Sequence, residues 1–421
     1  WRLFEELMAR YEVLDEVDVP FPLGGCFGVW GYELKNAAEP RLTRLAVNDL
    51  ELPDGVLGFH DALLVFDHVL DKVWIVSTGL RLDGTRDPAV ARRRADELEA
   101  LLKLAAEPST RHARAHRLHP APAPAITAHL SHERFIAMID RAQRYIRSGD
   151  IYQVNLSQRF EAPWSGTGWE MFQHLAAASP APFAAFLADD DFELASSSPE
   201  LFLRISGGHI VTRPIKGTRP RSADPTRDAQ LTYELQTSPK EMAELVMITD
   251  LLRNDLGRFC EFGSVQVPEL VRLERYAQVQ HLVSTIEGRL RTEMTHAGAL
   301  MRCFPGGSIT GAPKIRAMEI IDELEPVTRG PYTGALGYLG FNRESQLSIV
   351  IRAAVCRPGR TWFHAGAGIV ADSVPEAEYE ETLAKAAGWR AALARGAHDA
   401  GVPFSAARRK PVPPTARNRR E

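Results

Sequence analysis

Apolar residues at helical spacing mark the middle of the chain. In HERFIAMIDRAQRYIRSGD, Phe135, Ile139 and Ile146 share one side, which predicts an amphipathic helix. Runs rich in β-branched and aromatic residues follow: VNLSQRF, FAAFLAD, ELASSS, LFLRISG and HIVTRPI predict strands. SPKEMAELVMITDLLRNDLGRF predicts a long helix. Ser238 caps it, Pro239 sits in its first turn, and Glu241 completes a capping box. SVPEAEYEETLAKAAGWRAALAR predicts one closing helix capped by Ser373.

Before this part, GVWGYEL (28–34) predicts a strand, and ALLVFDHVLDKVWIVST (62–78) predicts a hairpin turning near Asp71 and Lys72. DPAVARRRADELEALLKLAAE predicts a helix capped by Asp87. STRHARAHRLHPAPAPAITAHL, rich in Ala, Pro, His and Arg, reads as a linker. The chain therefore divides into an N-terminal portion (1–105), a linker (106–127), a main domain (128–398) and an Arg- and Pro-rich tail (399–421) expected to be disordered. Strands and helices do not strictly alternate. That order excludes a doubly wound sheet and predicts an α+β fold of antiparallel sheets with helices outside.

The length, 421 residues, allows a large core. A net charge of -4 gives no sign of general nucleic-acid binding, and no apolar run approaches a membrane span. Cys26, Cys260, Cys303 and Cys356 are too far apart for a metal motif or a disulfide framework, so they read as reduced core thiols of a cytoplasmic protein. The chain starts at Trp1 inside a helical pattern, WRLFEELMARYEVL, and reads as a fragment whose natural start lies upstream.

The candidate chemistry is scattered. PIKGTRPRS places Lys216 before Gly217 in a turn-forming setting crowded by Arg213, Arg219 and Arg221. Cationic neighbours ease deprotonation of a lysine, which makes a nucleophile; taken alone, the stretch fits a solvated surface lysine better. Glu241 and Glu244, and Glu378 and Glu381, are carboxylates three apart on helices, either solvated faces or, brought together, an oxygen-rich site for magnesium. Lys385 follows Glu381 by four, as a salt-bridge partner would. FPGGSITGAPKIRAMEII and HAGAGIVADS are glycine clusters leading into helices. They are either tight turns or anion sites, and with Arg352 on the strand LSIVIRAAV they suggest a substrate carrying carboxylates. Neither is a phosphate-binding P-loop or a dinucleotide motif: Ala312 and Pro313 stand where a P-loop needs Lys and Ser or Thr. His281 on an apolar segment reads as a core histidine, and DLLRND (250–255) as a helix-end salt-bridge network.

GDIYQVNLSQRF, SSPELFLR, PIKGTRPR, EMAELVMITDLLRNDLGR, VQHLVSTIEG, FPGGSITGAPK, GPYTGALGYLGF, IVIRAA and GAGIVADSVPEAEYEETLAKA occur in this order. The set resembles the chorismate-utilising enzymes: anthranilate, aminodeoxychorismate, isochorismate and salicylate synthases. GGCFGVWGYELK and FDHVLDKVWIV resemble their N-terminal portion. The resemblance implies two large antiparallel sheets packed as a sandwich, helices outside, and magnesium at the chorismate carboxylate. It makes Glu244 and Glu381 metal ligands, with Glu241 and Glu378 in support. Tyr332 and Arg352 hold the pyruvyl carboxylate, Gly366 and Gly368 supply backbone N–H groups, and Lys385 sits by the carboxylates. Gly217, Thr218 and Ser308 complete the substrate site. Glu200 is the general acid at the departing C4 hydroxyl, with His281 beside it.

Two positions discriminate within the resemblance. Gln153 stands where the isochorismate and salicylate enzymes carry a lysine base, and a glutamine cannot take a proton from water. Lys216 stands where anthranilate synthases usually have alanine and aminodeoxychorismate synthases lysine. The resemblance therefore implies component I of an aminodeoxychorismate synthase, with Lys216 as covalent nucleophile, and anthranilate synthase component I as the alternative. No cysteine sits in a nucleophile-elbow setting, so ammonia is expected from a glutamine amidotransferase subunit or a fused domain. SPAPF (179–183) is similar to one wall of a tryptophan site whose other motif is absent here.

Overall fold

The computed structural model describes residues 1–13, 19–106, 124–276 and 278–399. Most of the expected linker and tail lie outside them. The described strands form two large sheets, one of nine strands and one of seven, and every strand pairing within them is antiparallel. The nine-stranded sheet includes Gly25–Trp30, hydrogen-bonded between Gly55–His60 and Ala335–Gly340, so the N-terminal portion shares a sheet with the main domain. The long pair Gln153–Trp164 and Gly359–Ile369 centres the seven-stranded sheet. The expected hairpin forms as Ala62–Asp67 and Lys72–Ser77, apart from both sheets.

The period-two alternation of strands sorts residues between two faces. Val29 and Leu336 of the larger sheet meet Leu194, Val355 and Trp362 of the smaller in one buried cluster, which joins the sheets face to face. Their neighbours in sequence point outward. Val154, Leu156, Ala367 and Ile369 bury against Phe135 and Ile139 of the helix His132–Arg147. Phe160, Ala162, Ala354 and Phe363 bury against Met171, Leu175, Trp389 and Leu393 of two more helices. Cys26, Trp30, Leu203 and Ile205 do the same on the other sheet against Leu256, Phe259 and Leu300. The architecture is the expected α+β sandwich with helices outside.

Several local expectations change. GVWGYEL is a strand only to Trp30. Tyr32–Leu34 turn into a short 3-10 helix because the N–H groups of Gly31 and Tyr32 donate to Asp54 and Gly330 rather than to a neighbouring strand. LSIVIRAAV is not one strand. Glu344–Ile349 belongs to the larger sheet and Ala353–Arg357 to the smaller, and residues 350–352 carry the chain across between them. The closing helix is two, Pro375–Lys385 and Ala387–Asp399; the break lets Trp389 stack on Phe363 in the core. Ser373 caps neither: its Oγ donates to Glu378 Oε1 instead. The four cysteines are buried and free, as expected.

Candidate active site

A cavity of about 660 Å³ lies between the sheets at one end of the sandwich. The fifteen residues to which the resemblance gives a role in the site all line it, although they are spread along the chain from Glu200 to Lys385.

Lys216 lies within a strand, Ile215–Pro220, rather than in a turn. The pairing with Val279–Arg289 slips between Lys216 and Thr218, and Gly217 at the slip has φ +65°. Such a bulge re-aims the side chains beside it and favours glycine. A Cβ on Gly217 would also come within 2.7 Å of Leu235 and 3.1 Å of Glu241. Each of the three neighbouring arginines is engaged by its own carboxylate: Arg213 by Glu274, Arg219 by Glu241, Arg221 by Asp228. Lys216 Nζ instead donates to the Ser308 carbonyl at 3.4 Å.

Glu200 is held just before the strand Leu201–Ser206, its carboxyl fully enclosed. Burial pushes its pKa up, against a hydrogen bond from the Ser308 side chain and the charges of Lys216 and Lys385. His281, directly across the ladder from Thr218, hydrogen-bonds Thr218 Oγ1 through Nδ1 at 2.9 Å. Burial lowers its pKa to about 4, with the Arg352 charge contributing, so the imidazole is neutral at pH 7. Its Nε2 is buried without a protein partner, a polar atom left for a ligand.

The two glutamate pairs face each other from the helices Pro239–Gly257 and Pro375–Lys385. Only half of the expected capping box forms: Ser238 Oγ accepts from the Glu241 N–H, while the Glu241 carboxylate turns to Arg219. Burial raises the Glu244 pKa against Lys216 and Lys240, and Glu241 and Glu381 add to the rise. Burial acts the same way on Glu381, but Lys385, Lys240 and Lys216 outweigh it and hold that carboxyl below its ordinary range. Lys385 Nζ bonds both Glu381 Oε1 and the Gly366 carbonyl, each at 2.7 Å. Among the described residues no three metal-type side chains converge tightly enough to hold an ion unaided. The arrangement still fits magnesium, which takes one or two carboxylates and completes its shell with water and substrate oxygens. Glu244 and Glu381 are close enough to disfavour each other's charge, and a cation relieves that repulsion.

The opposite wall carries Arg352, Tyr332 and the glycines. Arg352 sits at the crossing between sheets with φ +51°, a strained conformation for arginine of the kind that concentrates at functional sites. Tyr332 is buried, stacked on His364 at 5.2 Å with the Arg329 guanidinium 5.7 Å from its ring. Gly366 and Gly368 are on the strand Gly359–Ile369, not in a loop before a helix. The helix start at Lys314 does not line the cavity either; its loop contributes Ser308 and Ile309. An alanine Cβ at Gly366 would lie 2.7 Å from Asn155 Oδ1, 2.7 Å from the Leu156 carbonyl and 3.0 Å from Tyr332 Oη. Gly366→Ala is therefore expected to raise KM about tenfold or more, a displacement cost of about 1–3 kcal/mol. Steady-state kinetics on the substrate that the resemblance implies checks this, and an unchanged KM refutes a close substrate contact there.

Sequence reasoning missed Lys240, Asn155 and Ser179, which also line the cavity. Lys240 had a signal, since it lies four residues before Glu244 on one helix face. Asn155 and Ser179 had none, because only the cross-strand register and a 3.4 Å contact to Arg352 place them.

A family model described as chorismate binding enzyme matches residues 3–390. Aminodeoxychorismate synthase component 1 of Klebsiella aerogenes is 44% identical over 367 residues, 87% of this chain and 76% of that protein. Anthranilate synthase component 1 of Thermus thermophilus is 42% identical over 388 residues, 91% of this chain and 80% of that protein. The crystal structure of anthranilate synthase component I from Streptococcus pneumoniae is similar with a TM-score of 0.80 at 30% identity, over 92% of this chain and 85% of that one.

Proposed function

The chain belongs to the family of chorismate binding enzymes, and we propose that within it this protein acts as an aminodeoxychorismate synthase, component I. Overall similarity does not decide between the two amine-transferring activities, since relatives of both names are almost equally identical. The observation that carries the choice is Lys216, an amine lining the same cavity as the buried Glu200 carboxyl group.

The reaction runs as two allylic displacements. The Lys216 amine adds to C2 of chorismate, the ring double bond shifts, and the C4 hydroxyl leaves as water with the proton of Glu200. Ammonia then adds to C4, the double bond shifts back, and the C2–N bond to Lys216 breaks. The net change is chorismate plus ammonia to 4-amino-4-deoxychorismate plus water. A proton passing from the Lys216 ammonium to Glu200 produces nucleophile and acid together without altering the total charge of the pair. Burial of Glu200 favours its neutral form and so supports this distribution. His281, neutral and with a free Nε2, orients the departing hydroxyl. Tyr332 and Arg352 bind the pyruvyl carboxylate, and Gly366 and Gly368 supply backbone N–H groups. Magnesium would be held by Glu244 and Glu381, with Glu241 and Glu378 in support, and supplies a Lewis acid at the ring carboxylate. Ammonia comes from a glutamine amidotransferase partner or domain. Among the described residues no helix is long and apolar enough to cross a membrane.

Incubation with chorismate, ammonium and magnesium should give 4-amino-4-deoxychorismate, identified by mass. Anthranilate as the main product sinks the proposal and leaves the alternative.

A further inference from the structure

The glutamate cluster already faces a positive charge that the proposed reaction does not use. Lys240 lies in the first turn of the helix Pro239–Gly257, and its Nζ is 3.1 Å from Glu378 Oε1 on the facing helix. Glu378 is enclosed, its side chain 3% exposed, whereas the Lys240 side chain is 49% exposed. The ammonium thus pairs with one of the four carboxylates assigned above to magnesium, Glu378.

Its neighbour Lys385 is built differently. It is tied at two points, to Glu381 and to the Gly366 carbonyl on the sheet, and is a fixed charge of the cavity wall. Lys240 has one partner, the Glu378 carboxylate. Glu378 keeps a second donor, Ser373 Oγ at 2.8 Å, so it stays hydrogen-bonded when the lysine leaves. A half-exposed ion pair of this kind is weak, and a long flexible side chain re-enters water at little cost. A divalent cation among the same carboxylates repels an ammonium a few ångströms away.

Resting on the reading that these glutamates hold magnesium, we propose that Lys240 is a displaceable counter-cation. It pairs with Glu378 beside Glu244 and Glu381 while the metal is away, joins the two glutamate helices, and swings to solvent when a divalent cation binds. Metal affinity is thereby lowered by the competing ammonium, and the metal-free cavity is spared a cluster of unpaired carboxylates.

The test titrates Mn²⁺ into the metal-free protein and follows free Mn²⁺ by electron paramagnetic resonance. Lys240→Met should bind Mn²⁺ about fivefold more tightly, the affinity equivalent of a weak ion pair removed as competitor. Lys240→Arg should bind as the native protein does. In chelator, Lys240→Met should melt at a lower temperature than the native protein, and Mn²⁺ should close the gap. Lys240→Gln repeats the titration if Lys240→Met does not fold. Neutral variants that bind Mn²⁺ no more tightly than the native protein overturn the inference alone. A native protein that binds no Mn²⁺ overturns the metal reading, and this inference with it.

Discussion

Lys216→Ala is expected to lower aminodeoxychorismate formation by at least about a hundredfold, the loss of roughly 3 kcal/mol of transition-state stabilisation. The substitution removes the amine that adds to C2, and the other lysines lining the cavity among the described residues, Lys240 and Lys385, are already paired with Glu378 and Glu381. The fold should survive. Lys216 is partly exposed, its one hydrogen bond is long, and the bulge belongs to Gly217. Product formation by mass, with chorismate and ammonium saturating, measures the effect. Intact-protein mass during turnover should show an adduct on the native chain and none on Lys216→Ala. An unaffected rate rules out the covalent role.

Glu200→Gln is expected to cost about 10²–10⁴-fold in kcat, the usual contribution of a positioned general acid. The pH dependence carries the sharper signature. Glu200 must hold its proton to help the hydroxyl leave, and burial raises its pKa. The native rate should therefore fall as pH rises through that raised value, and Glu200→Gln should lose this alkaline limb. Stability falls over the same pH range. A carboxyl whose folded pKa is raised contributes its stability below the unfolded carboxyl range and loses it as pH rises through the folded value. Replacing it with a neutral amide should leave the melting temperature at pH 7 equal or higher. A variant that is inactive because it is unfolded gives the opposite result, and a rate within twofold of native removes Glu200 from the chemistry.

Local spacing fixed much of this protein before any contact was known. The stripe of Phe135 and Ile139 specifies the helix His132–Arg147 and its buried side, and the serine and proline at 238 and 239 mark where Pro239–Gly257 begins. The Asp71–Lys72 turn sets the hairpin, and the absence of strict strand–helix alternation sets the α+β class. Likeness to a family, rather than physics, named fifteen of the residues that line the cavity.

What the sequence could not determine depends on partners far away along the chain. Ser373 looks like a helix cap, and it serves Glu378 because the helix starts beyond it. LSIVIRAAV reads as one strand, but two different sheets compete for its ends, and the resulting crossing gives Arg352 its left-handed backbone and its place in the cavity. The three arginines around Lys216 look like a tuning field; tertiary pairing with Glu274, Glu241 and Asp228 neutralises them and leaves the lysine to Ser308, Glu244 and Glu381. Propensity and period act over a few residues, so they are written in the sequence. Burial and charge balance are set by which segments meet, so the folded chain alone decides them.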